Sequence, residues 1–291
     1  MKRQQLAQRD RQQGVALLLV LWACTLLAIL LGGYAALART EGLQARYQFA
    51  QTQAHYAAEA GIMRAFYGLQ DPQIKNRWIG DGRVYAFQYG DDKISITAFS
   101  ESGKVDLNTA TPEVLQGLFQ AAGMDQAQAQ TLAGKVVEWR TPSLLPADVS
   151  ARRAAYAAAG LNYGPRSAAF VSIEELQLVL GMPPAIYRVV APDITIWSGN
   201  ATPDTNTAPP LALAAIPGMT PQQQSAILAA RVKGANDSSM ALNSGTTHSI
   251  RSEATLADGT HAVLRATMRL QTGQTGTQPY AVLRWQEGDT E

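Results

Sequence analysis

Residues 15–38 run for 24 positions without a charged side chain, and Arg11-Gln12-Gln13-Gly14 stands directly before them. At about 1.5 Å per residue in a helix, such a run covers the roughly 30 Å hydrocarbon core of a bilayer, so one transmembrane helix is expected. Before the run, Lys2, Arg3, Arg9 and Arg11 against Asp10 leave a net +3, whereas Arg39, Glu41 and Arg46 beyond it are mixed in sign. The positive-inside rule then puts residues 1–14 in the cytoplasm and everything after Ala38 outside. An ordinary secretory signal is cut beyond its apolar segment, which is lost on processing. Here the glycine precedes the segment. Cleavage after Gly14 would leave the hydrophobic helix at the N-terminus of the mature chain, starting at Val15; an uncleaved membrane anchor is the other reading.

Taking the leader's +3 from the chain's formal +1 leaves about −2 for residues 15–291, with both signs scattered. That distribution lacks the basic stripe with which proteins neutralise nucleic-acid phosphates. The only cysteine, Cys24, lies in the apolar run, so the exported part has no disulfide. Its stability must come from packed cores, which about 250 residues can supply.

The helical pattern does not stop at the membrane. Leu43, Tyr47, Ala50, Ala54, Ala57, Gly61 and Ala65 recur at spacings of three and four, the period of an amphipathic helix, and predict a helix from Val15 to Leu69. Gly32-Gly33 marks an expected bend, and Asp71-Pro72 ends the helix. The period then switches to two. Residues 84–89 and 93–99 read as strands joined by Gly90-Asp91-Asp92, and residues 249–256, 261–270 and 280–285 as three more, with Asp258-Gly259 as a tight turn. Tyr56, Phe66 and Trp285 are expected to pack the helix on the sheet.

Between these strands lies a block of different character, rich in alanine and glutamine. Thr111-Pro112-Glu113 predicts a capped helix start and Ser172-Ile173-Glu174-Glu175 a capping box. The block repeats itself: Asp106, Asn108, Thr109, Ala110, Pro112 and Leu115 recur as Asp204, Asn206, Thr207, Ala208, Pro210 and Leu213, and Gly123-Met124 recurs as Gly218-Met219. Two related helix–turn–helix units are expected in one inserted helical domain. The resulting division is leader 1–14, transmembrane segment 15–38, sheet-bearing domain 39–102, all-helical insert 103–235, and the second part of the sheet-bearing domain 236–291, entered through a Ser/Gly/Asn-rich linker at 236–247.

No arrangement for catalysis is visible. His55, His248 and His261 are predicted on three separate elements, and neither a Gly-x-Ser-x-Gly elbow nor a phosphate loop is present. Glu59 follows His55 by four residues, the spacing of a surface pair on a helix. Asp106 and Asp204 stand where aspartates hydrogen-bond the free N–H groups ahead of a helix.

Taken in order, Gln13-Gly14-Val15-Ala16-Leu17-Leu18, Tyr56-Ala57-Ala58-Glu59-Ala60-Gly61, Val105-Asp106-Leu107-Asn108-Thr109-Ala110, Phe170-Val171-Ser172-Ile173-Glu174-Glu175-Leu176, Asp204-Thr205-Asn206-Thr207-Ala208 and Tyr280-Ala281-Val282-Leu283-Arg284-Trp285 resemble protein K of the type II secretion system, over nearly the whole chain. The resemblance implies an α+β fold: a pilin-like long N-terminal helix on a small antiparallel sheet, with a helix-hairpin-helix or SAM-like insert. It implies a minor pseudopilin, not an enzyme, held in the inner membrane of a Gram-negative envelope with its C-terminal part in the periplasm, at the tip of the pseudopilus that supports export of folded proteins. It implies cleavage between Gly14 and Val15 with N-methylation of Val15 by the prepilin peptidase. The minor pseudopilins I and J are the implied partners, with pseudopilin H, the major pseudopilin G, the secretin and the exported substrates as further candidates. Most pilin-like proteins carry glutamate at the fifth mature position, where this chain has Leu19. A carboxylate in an apolar filament core needs a neighbouring amine to neutralise it, so a subunit without one suits a filament end. Family members are also similar in binding calcium through acidic residues. Here Arg140-Thr141-Pro142-Ser143-Leu144-Leu145 stands where aspartates are expected, and no ligands are assigned.

Two other classes remain open at this point. Residues 204–231 resemble the helix-hairpin-helix of DNA-uptake and repair proteins, although Thr220 stands where such hairpins carry glycine and Asp125 follows Gly123-Met124 in the first unit. A minor pilin of a related type IV pilus system is the other.

Overall fold

The computed structural model describes residues 2–233, 246–271 and 279–288, with side chains from Val15 onward. The chain divides into two compact units, Met1–Ala54 and His55–Glu291.

The first unit belongs to one helix, α1 (Lys2–Leu69). From Val15 to Phe49 every side chain of this unit is exposed, including Leu17 at 74 % and Ile29 at 71 %. An apolar surface uncovered all round is unstable in water and is the surface lipid covers. Among the described residues, Val15–Leu69 is the helix long and apolar enough to cross a membrane. Gly32 and Gly33, where a bend was expected, are helical like their neighbours. Glycine weakens a helix by about 1 kcal/mol but, unlike proline, removes no hydrogen bond. Leu43 and Tyr47, assigned above to the buried stripe, are 58 % and 64 % exposed.

The second unit opens with the last turns of α1, whose Ala58, Ile62, Ala65, Phe66 and Leu69 are buried. They pack on a five-stranded antiparallel sheet of β1 (Asp81–Tyr89), β2 (Asp92–Ser100), β5 (Thr247–Thr255), β6 (His261–Leu270) and β7 (Tyr280–Glu287), in that spatial order. Alternation decides which face meets the helix: Ile94, Ile96 and Ala98 of β2 are buried with Ile250 and Ala254 of β5 and Leu264, Ala266 and Met268 of β6. At Gly61 the helix comes so close that an added Cβ would sit 2.1 Å from Ser252 Oγ and 2.9 Å from Ile94 Cγ2. The β1–β2 hairpin closes with Tyr89 opposite Asp92, leaving a two-residue loop with Gly90 at φ +64°. Of the three aromatics expected between helix and sheet only Phe66 is buried; Tyr56 is 65 % and Trp285 37 % exposed. Tyr56 lies on the side of α1 away from the buried stripe, and the contact expected of Trp285 is made by Tyr280, whose ring meets Phe66 at 4.8 Å.

β2 and β5 are hydrogen-bonded neighbours, although the whole repeat-bearing block lies between them in sequence. That block has its own core, built on Leu107, Leu115, Leu118, Phe119, Leu132, Val136, Trp139, Tyr156, Leu176, Ile194 and Leu213. Its helices are α2 (Pro112–Ala121), α3 (Gln126–Arg140), α4 (Pro146–Ala158), α5 (Pro184–Val190), α6 (Pro210–Ala214) and α7 (Pro221–Lys233). Thr111 caps α2 as expected, accepting from the Val114 N–H at 3.3 Å. The expectation of an all-helical block is corrected in two places. β3 (Val105–Asp106) and β4 (Ile194–Thr195) form a short parallel pair, because Val105 and Ile194 are both fully inside the core and their backbone groups need partners there. Ile173–Leu178 forms a 3-10 helix, and Ser172 makes no capping bond to its backbone. Instead Glu175 is drawn away by Arg166 and Trp139, and Glu174 by Arg284 of β7. Residues 236–245 of the expected linker lie outside the described residues, and Thr247 already belongs to β5.

Candidate functional site

Three places could carry function: the start of the apolar helix, the repeated loops of the block, and the seam where the block meets the sheet.

Gly14 and Val15 fall within α1, and Val15 and Leu19 are 62 % and 65 % exposed. Leu19 therefore presents a bare aliphatic side chain to whatever surrounds the helix, with no charge to be neutralised.

In the repeated loops, Asp106 Oδ1 accepts from the Asn108 N–H at 2.8 Å and Asp204 Oδ1 from the Asn206 N–H at 3.0 Å. Ala110 N–H donates to the Asp106 carbonyl at 2.8 Å, and Ala208 N–H to the Asp204 carbonyl at 2.9 Å. Both aspartates are thus turn-formers, as their position ahead of a helix suggested; Asp106 Oδ2 also takes the Gly199 N–H at 2.8 Å and the Ser198 hydroxyl at 3.1 Å. Each unit is closed by an arginine that the sequence reading did not single out. Arg140, at the end of α3, donates to the carbonyls of Leu107 at 2.7 Å and Ala110 at 2.6 Å. Arg231, in α7, donates to the carbonyls of Ala208 at 2.7 Å and Thr205. The signal was present: both arginines lie near the end of the second helix of a repeat.

The hairpin turns are likewise occupied. Asp125 takes the Gln128 N–H at 2.9 Å, and Thr220 and Gln223 form a reciprocal box, with Thr220 N–H on Gln223 Oε1 at 2.8 Å and Gln223 N–H on Thr220 Oγ1 at 3.2 Å. The amides that would hold a nucleic-acid phosphate are thus bonded within the chain, and the arginine of each repeat is turned onto backbone carbonyls.

At the seam, Glu101 is fully buried. Its Oε1 accepts from Lys104 Nζ at 2.8 Å and from Ser249 Oγ of β5 at 2.6 Å, while its Oε2 accepts from the Thr195 hydroxyl of β4. Arg284 of β7 reaches Glu174 at 2.6 Å across the same seam. A cavity of about 230 Å³ opens beside Glu101. Burial raises the pKa of Asp193 above its ordinary value, partly offset by the positive charge of Lys104.

The histidines do not converge. His55 faces Glu287 of β7, with Nδ1 at 3.9 Å from the carboxylate, rather than pairing with Glu59. His248 is buried in β5, and His261 is exposed at the start of β6. Among the described residues, no group of three or more His, Cys, Asp or Glu could hold a metal ion. Calcium, implied by the resemblance, takes six to eight oxygens, several from carboxylates. The residues after Trp139 do not fit it: Arg140 covers two carbonyls, and Arg152 donates to those of Glu138 and Thr141, each at 3.0 Å.

The fold and the seam define a class: a chain with an N-terminal helix fit to cross a membrane, a pilin-like helix-on-sheet unit, and a helix-hairpin-helix block entering between neighbouring strands. Residues 93–199, from β2 through the first hairpin to β4, match the family of the type II secretion system (T2SS), protein K. On that match the chain is placed in the protein K family. The fold is similar to a chain of the crystal structure of the GspK-GspI-GspJ complex from the enterotoxigenic Escherichia coli Type 2 Secretion System, with a TM-score of 0.56 at 16 % identity, covering 85 % of this chain and 100 % of that one. No curated protein matches.

Proposed function

We propose that this chain is a minor pseudopilin of a type II secretion system, acting at the tip of the periplasmic pseudopilus and working by structure and assembly rather than by catalysis. The observation that carries the reading is the family match of residues 93–199, which falls on the block joined through Glu101 to a pilin-like sheet. α1 is the single-pass anchor, with the leader 1–14 on the cytoplasmic side and the folded unit in the periplasm. Cleavage falls between Gly14 and Val15, and the new Val15 amine is methylated. The domain division is that set out above, with the insert at 103–235 between the two parts of the sheet-bearing domain.

Assembly follows from charge and bulk. Without a carboxylate at Leu19 this subunit cannot neutralise the terminal amine of a neighbour, and the block adds volume where a stacked subunit would lie. Both favour a terminal position. The similar chain comes from a complex with GspI and GspJ, and the corresponding pseudopilins I and J are the proposed partners here. The inward-turned arginines and occupied hairpin amides tell against a DNA-uptake role.

The deciding experiment is to express the full chain with its cognate prepilin peptidase and sequence the N-terminus of the membrane-bound product. N-methylated Val15 is the expected result. An intact Met1 would reduce the chain to an anchored helical protein and overturn the pseudopilin reading.

A further inference from the structure

The carbonyl oxygens of the block are collected by guanidinium groups in a repeated pattern. Arg140 binds the carbonyls of Leu107 and Ala110 in the first unit, and Arg231 binds those of Thr205 and Ala208, the corresponding positions of the second. A third arginine, Arg152 of α4, bridges the carbonyls of Glu138 and Thr141 where α3 ends. Backbone carbonyls pointing together repel one another and require a positive centre, which proteins supply either as a bound cation or as a fixed side-chain charge. The forked donors of arginine suit two oxygens at once, which a lysine ammonium does less well.

The acidic groups that could have completed a metal site are committed elsewhere. Asp106 uses both carboxylate oxygens on Asn108, Ser198 and Gly199, and Asp204 is engaged by Asn206. Past Arg140 the loop offers Leu144 at 93 % exposure and Leu145 at 62 %, with no carboxylate before Asp148.

We infer that Arg140, Arg152 and Arg231 are built-in cations that take the structural place of a divalent ion, so that this block is held in shape without calcium. The inference does not depend on the secretion role. It makes the two hairpins equivalent in construction: one loop, one capped second helix, one arginine returning to the loop's carbonyls.

The test uses the full chain in detergent. Thermal unfolding is followed in calcium chloride and in a calcium chelator, and calcium chloride is titrated into the chain by calorimetry. The expected result is the same Tm in both conditions and no saturable calcium binding. R140Q and R231Q should each lower Tm by about 5 °C, because each leaves two carbonyls without their charged donor. R140K should fall between R140Q and the parent, and it keeps the test open if R140Q does not fold. Saturable calcium binding with a rise in Tm would overturn the inference, as would an unchanged Tm in both R140Q and R231Q.

Discussion

Glu101 Oε1 lies 2.6 Å from Ser249 Oγ, a contact between residues 148 positions apart that ties the block's entry point to β5. The carboxylate is fully buried, and Lys104, itself 14 % exposed in its side chain, supplies its counter-charge. The arrangement is a satisfied buried ion pair, in which loss of one member strands the other.

Glu101→Ala should therefore destabilise the second unit by about 3 kcal/mol, with Glu101→Gln less severe because the amide keeps an acceptor. Urea unfolding of the full chain measures this, and a midpoint equal to the parent's in the alanine variant would show that the seam is held by other contacts.

Two glycines predict opposite outcomes. Gly61→Val places a Cβ 2.1 Å from Ser252 Oγ and should cost about 2 kcal/mol through displacement of α1 from the sheet. Gly134, in the middle of α3, has nothing within 4 Å of an added Cβ, so Gly134→Ala should stabilise by about 1 kcal/mol. Thermal melts of the two variants side by side test whether the close approach at Gly61 is real.

Asp193 gives the pH dependence. Burial raises its folded pKa above the ordinary aspartate value, against the partial opposing effect of Lys104. The folded state then binds the proton more tightly than the unfolded one, and stability falls as pH rises from the ordinary value through the raised one. Asp193→Asn removes this loss. The variant should be more stable than the parent at neutral pH and lose that advantage in acid; a constant difference across the titration would refute the assignment.

Gly14 and Leu19 test the assembly reading. Gly14→Trp should leave an unprocessed precursor and abolish secretion, and normal processing would remove the leader assignment. Leu19→Glu should leave folding intact but alter association with I and J, because it introduces a carboxylate that calls for a neighbouring amine. Cross-linking of membrane-bound complexes reads the change, and unchanged stoichiometry would count against the charge argument.

Local pattern was enough for the apolar helix, the strands and the repeat. An uncharged run of 24 residues has few stable solutions, period-two alternation marks a strand with one buried face, and a repeated Asp-x-Asn-Thr-Ala imposes the same turn twice. Tertiary structure alone decided the rest. It paired His55 with Glu287 rather than Glu59, left Tyr56 and Trp285 outside the core, and converted the expected capping box at Ser172 into a 3-10 segment whose glutamates serve distant arginines. It also turned Arg140 and Arg231 inward and made Glu101 the seam between sheet and block. These are long-range pairings of polar groups. Their partners are chosen by which elements the buried cores bring together, and no local spacing encodes that choice.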